Sequence, residues 1–239
     1  HVLDTAGQLS QARPIVIYGH GGDQLKDALA ARDITWIEQA EQLGTGHAVH
    51  QCLPAISGDS ISLILYGDVP LTKVDTLEQL VDHAGRTGFG LLTVVMDDPS
   101  GYGRIVRDDN GEITAIVEHK DASPEQLKIT EVNSGIMAIR SEYLHQWIPA
   151  LGNDNAQGEY YLPDIVNIAI ADGRVCAVVI TDDPDEVAGI NSRSELARVE
   201  ARWQAVRRER AMADGATLIA PDTVFFSWDT QIGRDVTIE

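Results

Sequence analysis

The first place where this sequence could do chemistry is a carboxylate at the end of an apolar run. Residues 61–66 (ISLILY) are continuous and apolar, and they close on Gly67 and Asp68 before Val69 and Pro70, whose ring stops a regular continuation. In open α/β sheets ligands gather outside the carboxyl ends of the strands. An acidic group placed there either caps the following turn or holds Mg²⁺ against a polyphosphate, since Mg²⁺ takes hard oxygen donors. A second candidate stands in AGINSR (188–193), where Asn191 at a helix start reads as a cap or as a metal ligand.

Three further stretches place polar groups beside glycine. QAEQLGTGH (39–47) follows a strand and opens a helix, so the N–H groups around Gly44, Thr45 and Gly46 can face a ligand, and the Gln39 amide can pair with the imide edge of uracil. The competing reading is a tight turn whose glycines serve sterics, with His47 lining the helix. SGYGR (100–104) lets backbone at Gly103 approach a ligand closely. IVEHK (116–120) and EVNSG (131–135) set Glu118 and Asn133 at the edges of apolar strands, where they either read sugar hydroxyls or simply end the strand. NDNAQGEYYLPD (153–164) is a polar loop before an apolar helix.

Strands and helices must alternate to bring these groups together. Val2, Leu3, Ala6 and Leu9 recur at helical spacing, followed by a strand over 14–18, a Gly-rich turn, a helix over 23–31, a strand over 34–37 and a helix over 45–53. The run 61–66 has the pattern of a strand buried on both faces of a parallel sheet. A helix over 75–84 leads to a strand over 90–96. Strands over 104–107 and 112–118 flank Asp-Asn-Gly, a hairpin signal that makes the sheet mixed. A strand over 131–139, helices over 142–148 and 160–171, and a strand over 174–180 complete an α/β domain with a parallel core. From 192 to 214 Leu196, Val199, Trp203 and Val206 recur every three to four residues, the texture of an exposed linker helix. Beyond it, an aliphatic residue followed by a small one returns at six-residue intervals, as in the first turn of a left-handed parallel β-helix. Both ends read as cut from a longer chain.

Composition narrows the partners. The 239 residues are 44% hydrophobic, ordinary for a globular protein, and 18 basic against 37 acidic residues give a net charge of −19. Such a charge repels nucleic acid and anionic membrane surfaces. A bound polyanion would have to be met locally, by a metal, oriented N–H groups or a few placed cations. No run reaches the roughly 18 apolar residues of a membrane span. Cys52 and Cys176 sit in apolar settings without metal-ligand spacing, and read as buried free thiols of a reducing cytoplasm.

QAEQLGTGHA, LYGDVPL, DDPSGYGRI, IVEHKDA, EVNSGI, NAQGEYYLPDI and GINSR, spread over about residues 1–195, together resemble the uridyltransferase domain of the bacterial bifunctional N-acetylglucosamine-1-phosphate uridyltransferase and glucosamine-1-phosphate acetyltransferase. The resemblance implies a Rossmann-like nucleotidyltransferase domain over 1–191, a linker helix over 192–214 and the beginning of the acetyltransferase β-helix over 215–239. It implies cytoplasmic synthesis of UDP-N-acetylglucosamine, a cell-wall precursor, from UTP and N-acetylglucosamine 1-phosphate, in a homotrimer. It places Gln39, Gly44 and Thr45 on the uridine, Tyr66, Gly67, Gly103, Glu118 and Asn133 around the nucleotide sugar, and Asp68 and Asn191 on Mg²⁺ as the catalytic pair. The family opens with a strand and a Gly-rich loop carrying Arg and Lys, and nothing in this sequence corresponds to it. The chain as it stands is therefore expected to leave a sheet edge unpaired and to be inactive. The alternatives are a pyrophosphorylase for another nucleotide sugar, or a non-catalytic nucleotide-sugar-binding remnant.

Overall fold

The apolar runs and helical periodicities of this chain sort into separate strand ladders. The computed structural model describes residues 1–155, 157–174 and 176–239. In chain order the elements are α1 (Val2–Ala6), β1 (Ile15–Tyr18), α2 (Gly22–Ala28), β2 (Thr35–Glu38), α3 (Thr45–Cys52), β3 (Ile61–Ile64), α4 (Val74–Thr87), β4 (Phe89–Val95), β5 (Arg104–Arg107), β6 (Ile113–Val117), β7 (Glu131–Arg140), α5 (Ser141–Trp147), α6 (Ile165–Ala171), β8 (Ala177–Thr181), α7 (Arg193–Ala213), β9 (Thr217–Leu218) and β10 (Thr237–Ile238).

The main sheet has six strands in the order β6-β5-β7-β4-β8, with β3 also paired to β7. Its centre is β4, buried from Phe89 to Val94, bonded antiparallel to β7 on one side and parallel to β8 on the other. On one face Leu77, Leu80 and Ala84 of α4, at helical spacing, pack fully buried against Leu92, Val94 and Ala138. Burying each such leucine contributes roughly 1.5–3 kcal/mol. On the other face Phe89, Leu91, Met137 and Ile139 meet Leu144 and Trp147 of α5 and Ile165 and Val166 of α6. Helices thus cover both faces, as a mixed α/β sheet requires.

The sheet departs from the expected parallel core. β3 pairs only with β7, antiparallel, through Ile61↔Arg140 to Ile64↔Met137, and its side chains are half-buried on both faces, not fully buried. Its apolar run gives no sign of partner direction, because antiparallel and parallel strands bury the same residues. Within the main sheet the parallel pairing is that of β4 with β8. The helix expected over 160–171 begins only at Ile165, since Pro163 holds Leu162–Asp164 in a 3-10 turn. The first helix stops at Ala6 and leaves Leu9 outside it. Ala156 of the polar loop and Val175 of the expected strand 174–180 lie outside the described residues.

β1 and β2 form a parallel pair of their own, Ile15↔Thr35 to Tyr18↔Glu38, with no ladder to the main sheet among the described residues. The second edge of β1 and the second edge of β3 face a common cavity of about 2090 Å³ lined by Ile15, Ile17, Leu63 and Leu65. The expected unpaired edge is therefore present, and it is double. Along α7 only Val199 and Gln204 are buried, and Gln204 exchanges hydrogen bonds of 2.7 and 2.8 Å with the Phe226 backbone. β9 and β10 pair in parallel across the intervening loop.

Candidate active site

The chain leaves β3 through Leu65 and Tyr66 and turns at Asp68, whose backbone carbonyl accepts the Ile190 N–H at 3.0 Å. That bond fastens the GINSR segment beside the strand end. A Cβ built on Gly189 would lie 3.7 Å from both Asp68 Oδ2 and Asn191 Nδ2, so both side chains border Gly189. The capping role weighed for Asn191 falls to its neighbour. Ser192 Oγ accepts the Glu195 N–H at 3.2 Å, and Glu195 reaches back to the Asn191 N–H at 2.7 Å, which begins α7 and leaves the Asn191 side chain free. Among the described residues the Asp68 carboxylate has no hydrogen-bond donor, and it is exposed.

Gln39 extends the β2 ladder by one bond, its N–H donating to the Tyr18 carbonyl at 2.8 Å. The loop after it is stitched to the segment before α6. Gly46 N–H donates to the Tyr160 carbonyl at 2.8 Å, Tyr160 N–H to the Leu43 carbonyl at 2.9 Å, and Leu162 N–H to Thr45 Oγ1 at 3.1 Å. Gly44 has φ +106°, and a Cβ there would stand 2.7 Å from the Tyr160 carbonyl oxygen, so the position requires glycine on both counts.

The third group is the edge formed by β5, β6 and β7. Asn133 N–H donates to the Gly103 carbonyl at 2.9 Å, while Asn133 Oδ1 accepts the Gly135 N–H at 2.9 Å, leaving its amide nitrogen to donate outward. Glu118 Oε1 lies 3.1 Å from where a Cβ on Gly103 would stand. Burial, followed by the charges of Asp164 and Asp121, pushes the Glu118 carboxyl above its ordinary range. Gly135, at φ +83°, takes the Tyr66 ring against its backbone, where a Cβ would clash at 2.7 Å. Tyr66 is the hub. Burial first, then the charges of Asp68 and Glu118, push its phenol up to about 12, with Thr45 acting the other way. Gln39, Thr45, Tyr66 and Gly67 line the same large cavity as the open strand edges.

Some features were not read from the sequence. Arg104 is buried at the first position of β5, with its guanidinium donating to the Tyr102 carbonyl and lying 3.3 Å from His119 Nδ1, so that it ties the neighbour of Gly103 to the neighbour of Glu118. An arginine inside SGYGR looks solvated until β6 and β7 close over it. The two cysteines are free and buried as expected, and burial raises the Cys52 thiol to about 11 and the Cys176 thiol to about 12, far from nucleophilic use. Among the described residues no cluster of three or more His, Cys, Asp or Glu side chains is placed to share a metal, and no helix is long and apolar enough to cross a membrane.

A mixed sheet flanked by helices, with polar groups gathered at strand ends and at a glycine-rich strand-to-helix turn, is the arrangement of a nucleotidyltransferase. The chain belongs to the MobA-like NTP transferase domain family, which its residues 1–146 match. It is 54% identical over 244 residues to the bifunctional protein GlmU of Novosphingobium aromaticivorans, and 51% and 49% identical over 239 residues to those of Saccharophagus degradans and Acinetobacter baumannii. All of this chain is covered in each case, and it spans about half the length of these relatives, 52–53%. The resemblance drawn from the motifs is thereby confirmed. Among solved structures, a Bacillus anthracis protein described as a glucose-1-phosphate thymidylyltransferase and solved with sucrose shares the fold, with TM-score 0.64 over 84% of this chain and 80% of its own at 20% identity.

Proposed function

We propose that this chain provides the site for Mg²⁺-dependent transfer of UMP from UTP to N-acetylglucosamine 1-phosphate, giving UDP-N-acetylglucosamine and pyrophosphate. The observation that carries the reading is the placement of Asp68 and Asn191 around Gly189, with Asp68 near Tyr66, which links the Gln39–Thr45 loop to the Glu118–Asn133 edge. An exposed carboxylate and a free amide suit Mg²⁺, which takes few protein ligands and completes its shell with phosphates and water. Bound there, it would supply charge neutralisation at the phosphates. The sugar phosphate is already an anion at neutral pH, so no general base is called for. Its oxygen forms the new bond to the α-phosphorus as the bond to the bridging oxygen breaks, and the electron pair leaves with pyrophosphate. The protein's own residues position the partners. Gln39, Gly44 and Thr45 hold the uridine, Glu118 accepts from and Asn133 donates to sugar hydroxyls, and Gly67 and Gly103 allow close backbone approach.

In the same proposal residues 1–191 are the transferase domain, 192–214 a linker helix and 215–239 the first turn of an acetyltransferase β-helix that trimerises the longer protein. The parallel pairing of β9 with β10 supports the last assignment. The experiment is pyrophosphate release by the chain fused behind the N-terminal strand-and-loop segment of a related sequence, with a panel of nucleoside triphosphates and sugar 1-phosphates at varied Mg²⁺. Turnover with UTP and N-acetylglucosamine 1-phosphate above all other pairs is expected, and a preference for another pair overturns the substrate assignment.

The open cavity between β1 and β3 favours a second reading, in which the chain binds nucleotide sugar but turns over poorly until a strand fills that cavity. Binding of UDP-N-acetylglucosamine without measurable pyrophosphate release, with release appearing when a strand-bearing segment of a related sequence is fused ahead of His1, separates it from the first.

A further inference from the structure

The terminal amide of Gln39 is held by a chain of contacts. Its Nε2 donates to the Gly44 carbonyl at 3.0 Å and lies 3.0 Å from Nδ1 of His47, whose Nε2 in turn lies 3.0 Å from Nε2 of Gln51, a nitrogen also 3.5 Å from the His47 carbonyl. A carbonyl oxygen can only accept, so Gly44 requires Gln39 to turn its nitrogen inward. An amide nitrogen can only donate, so Nδ1 of His47 carries the lone pair and the ring proton sits on Nε2; the Gln51 amide then turns end for end to present its oxygen there, giving up its 3.5 Å contact with the His47 carbonyl. His47 and Gln51 are one helical turn apart on α3, which holds the ring from the side opposite Gln39. Both amide hydrogens of Gln39 are then engaged, and among the described residues nothing donates to its Oε1. Gln39 lines the cavity, and its half-buried amide, held by Gly44 alone, would exchange that bond readily for water.

We propose that His47 is a specificity-determining positioning residue: by locking the Gln39 amide it makes the base site an acceptor at Gln39 Oε1, which selects uracil, whose ring N3 carries a hydrogen, over cytosine, whose N3 carries a lone pair. This rests on the reading that Gln39 meets the base.

The probes are UDP and CDP, titrated calorimetrically into the 239-residue chain. The unsubstituted chain is expected to prefer UDP by about tenfold or more, and His47→Leu to reduce the preference to within about threefold. His47→Asn, whose Oδ1 falls near the position of Nδ1, is expected to restore it. A tenfold preference persisting in His47→Leu overturns the proposal. If the preference also survives Gln39→Leu, the base contact itself is misassigned, whereas its loss in Gln39→Leu and retention in His47→Leu isolates the failure to His47. No preference in the unsubstituted chain sinks both. Nitrogen-15 spectra of the imidazoles of the unsubstituted chain need no variant to fold. An unprotonated Nδ1 at His47 is expected, and a proton there overturns the proposal.

Discussion

The amide of Asn133 donates to the carbonyl of Gly103 at 2.9 Å, across the junction of two strands that lie 30 residues apart in sequence. This bond sets the spacing between the backbone at Gly103 and the free amide nitrogen of Asn133, with Glu118 beside them. Replacing Glu118 or Asn133 by Ala is expected to raise the KM for the sugar phosphate more than that for UTP. One lost polar contact costs roughly 1–3 kcal/mol, or about 5- to 150-fold in affinity. Steady-state kinetics with each substrate varied in turn checks it, and equal effects on both would mark the residues as strand-edge structure only.

Glu118 accepts from a hydroxyl more strongly when ionised, and burial and the nearby Asp164 and Asp121 charges raise its pKa above the ordinary 4.5. Sugar affinity should therefore fall on acidification at a higher pH than an exposed glutamate would give, and Glu118→Gln should remove that limb. Stability runs the other way. Between the ordinary and the raised value the folded protein holds a proton that the unfolded chain has released, so this group's contribution to stability is full below that window and is lost as pH rises through it. Paired titrations of binding and of thermal unfolding, with Asp164→Asn as a control for the neighbouring carboxyl, test both signs.

Asp68→Asn keeps the shape of the turn and removes the charge. Because the Ile190 bond is made by the Asp68 backbone, Tm should barely move. The Mg²⁺ requirement should rise at least about 10- to 100-fold, the range lost even when an outer partner of a metal ligand is removed. Unchanged activity at limiting Mg²⁺ would reject the assignment.

Gly44→Ala would combine a left-handed backbone with a contact of 2.7 Å to the Tyr160 carbonyl. A cost of about 1–3 kcal/mol is expected, seen as a Tm lower by roughly 2–4 °C per kcal/mol. Uridine binding should weaken with it, since the loop that carries Thr45 shifts. Wild-type Tm and affinity together would show that the loop relaxes without loss.

Strand and helix positions were legible because they follow from local spacing. β4, the β5–β6 hairpin, α4 and α7 lie where periodicity and Asp-Asn-Gly put them. Partner direction was not legible: Ile61–Ile64 is equally apolar beside a parallel or an antiparallel neighbour, and only the long β7 decides it. At the candidate site, Asp68 and Asn191 were visible as residue types at element ends, but their closeness depends on a backbone bond between segments more than 100 residues apart, Ile190 to Asp68. The contacts of Arg104 and His47 were not legible because each is made with a neighbour's polar atoms, and neither its type nor its spacing announces that.

The parallel pair β1–β2 carries Gln39 at its exit and, among the described residues, shares no backbone bond with the sheet that carries Glu118 and Asn133. Amide hydrogens report on this division. Those of β1 and β2 can exchange with solvent through an opening confined to that pair, while those of β4 and β7 wait for the whole sheet to unfold. A protein built this way has two protection levels, and the part proposed to read the base belongs to the weaker one. A ligand bridging Gln39 and Asn133 would draw the two levels together, so that slow exchange spreading into β1 and β2 becomes a direct sign that base and sugar are held at once.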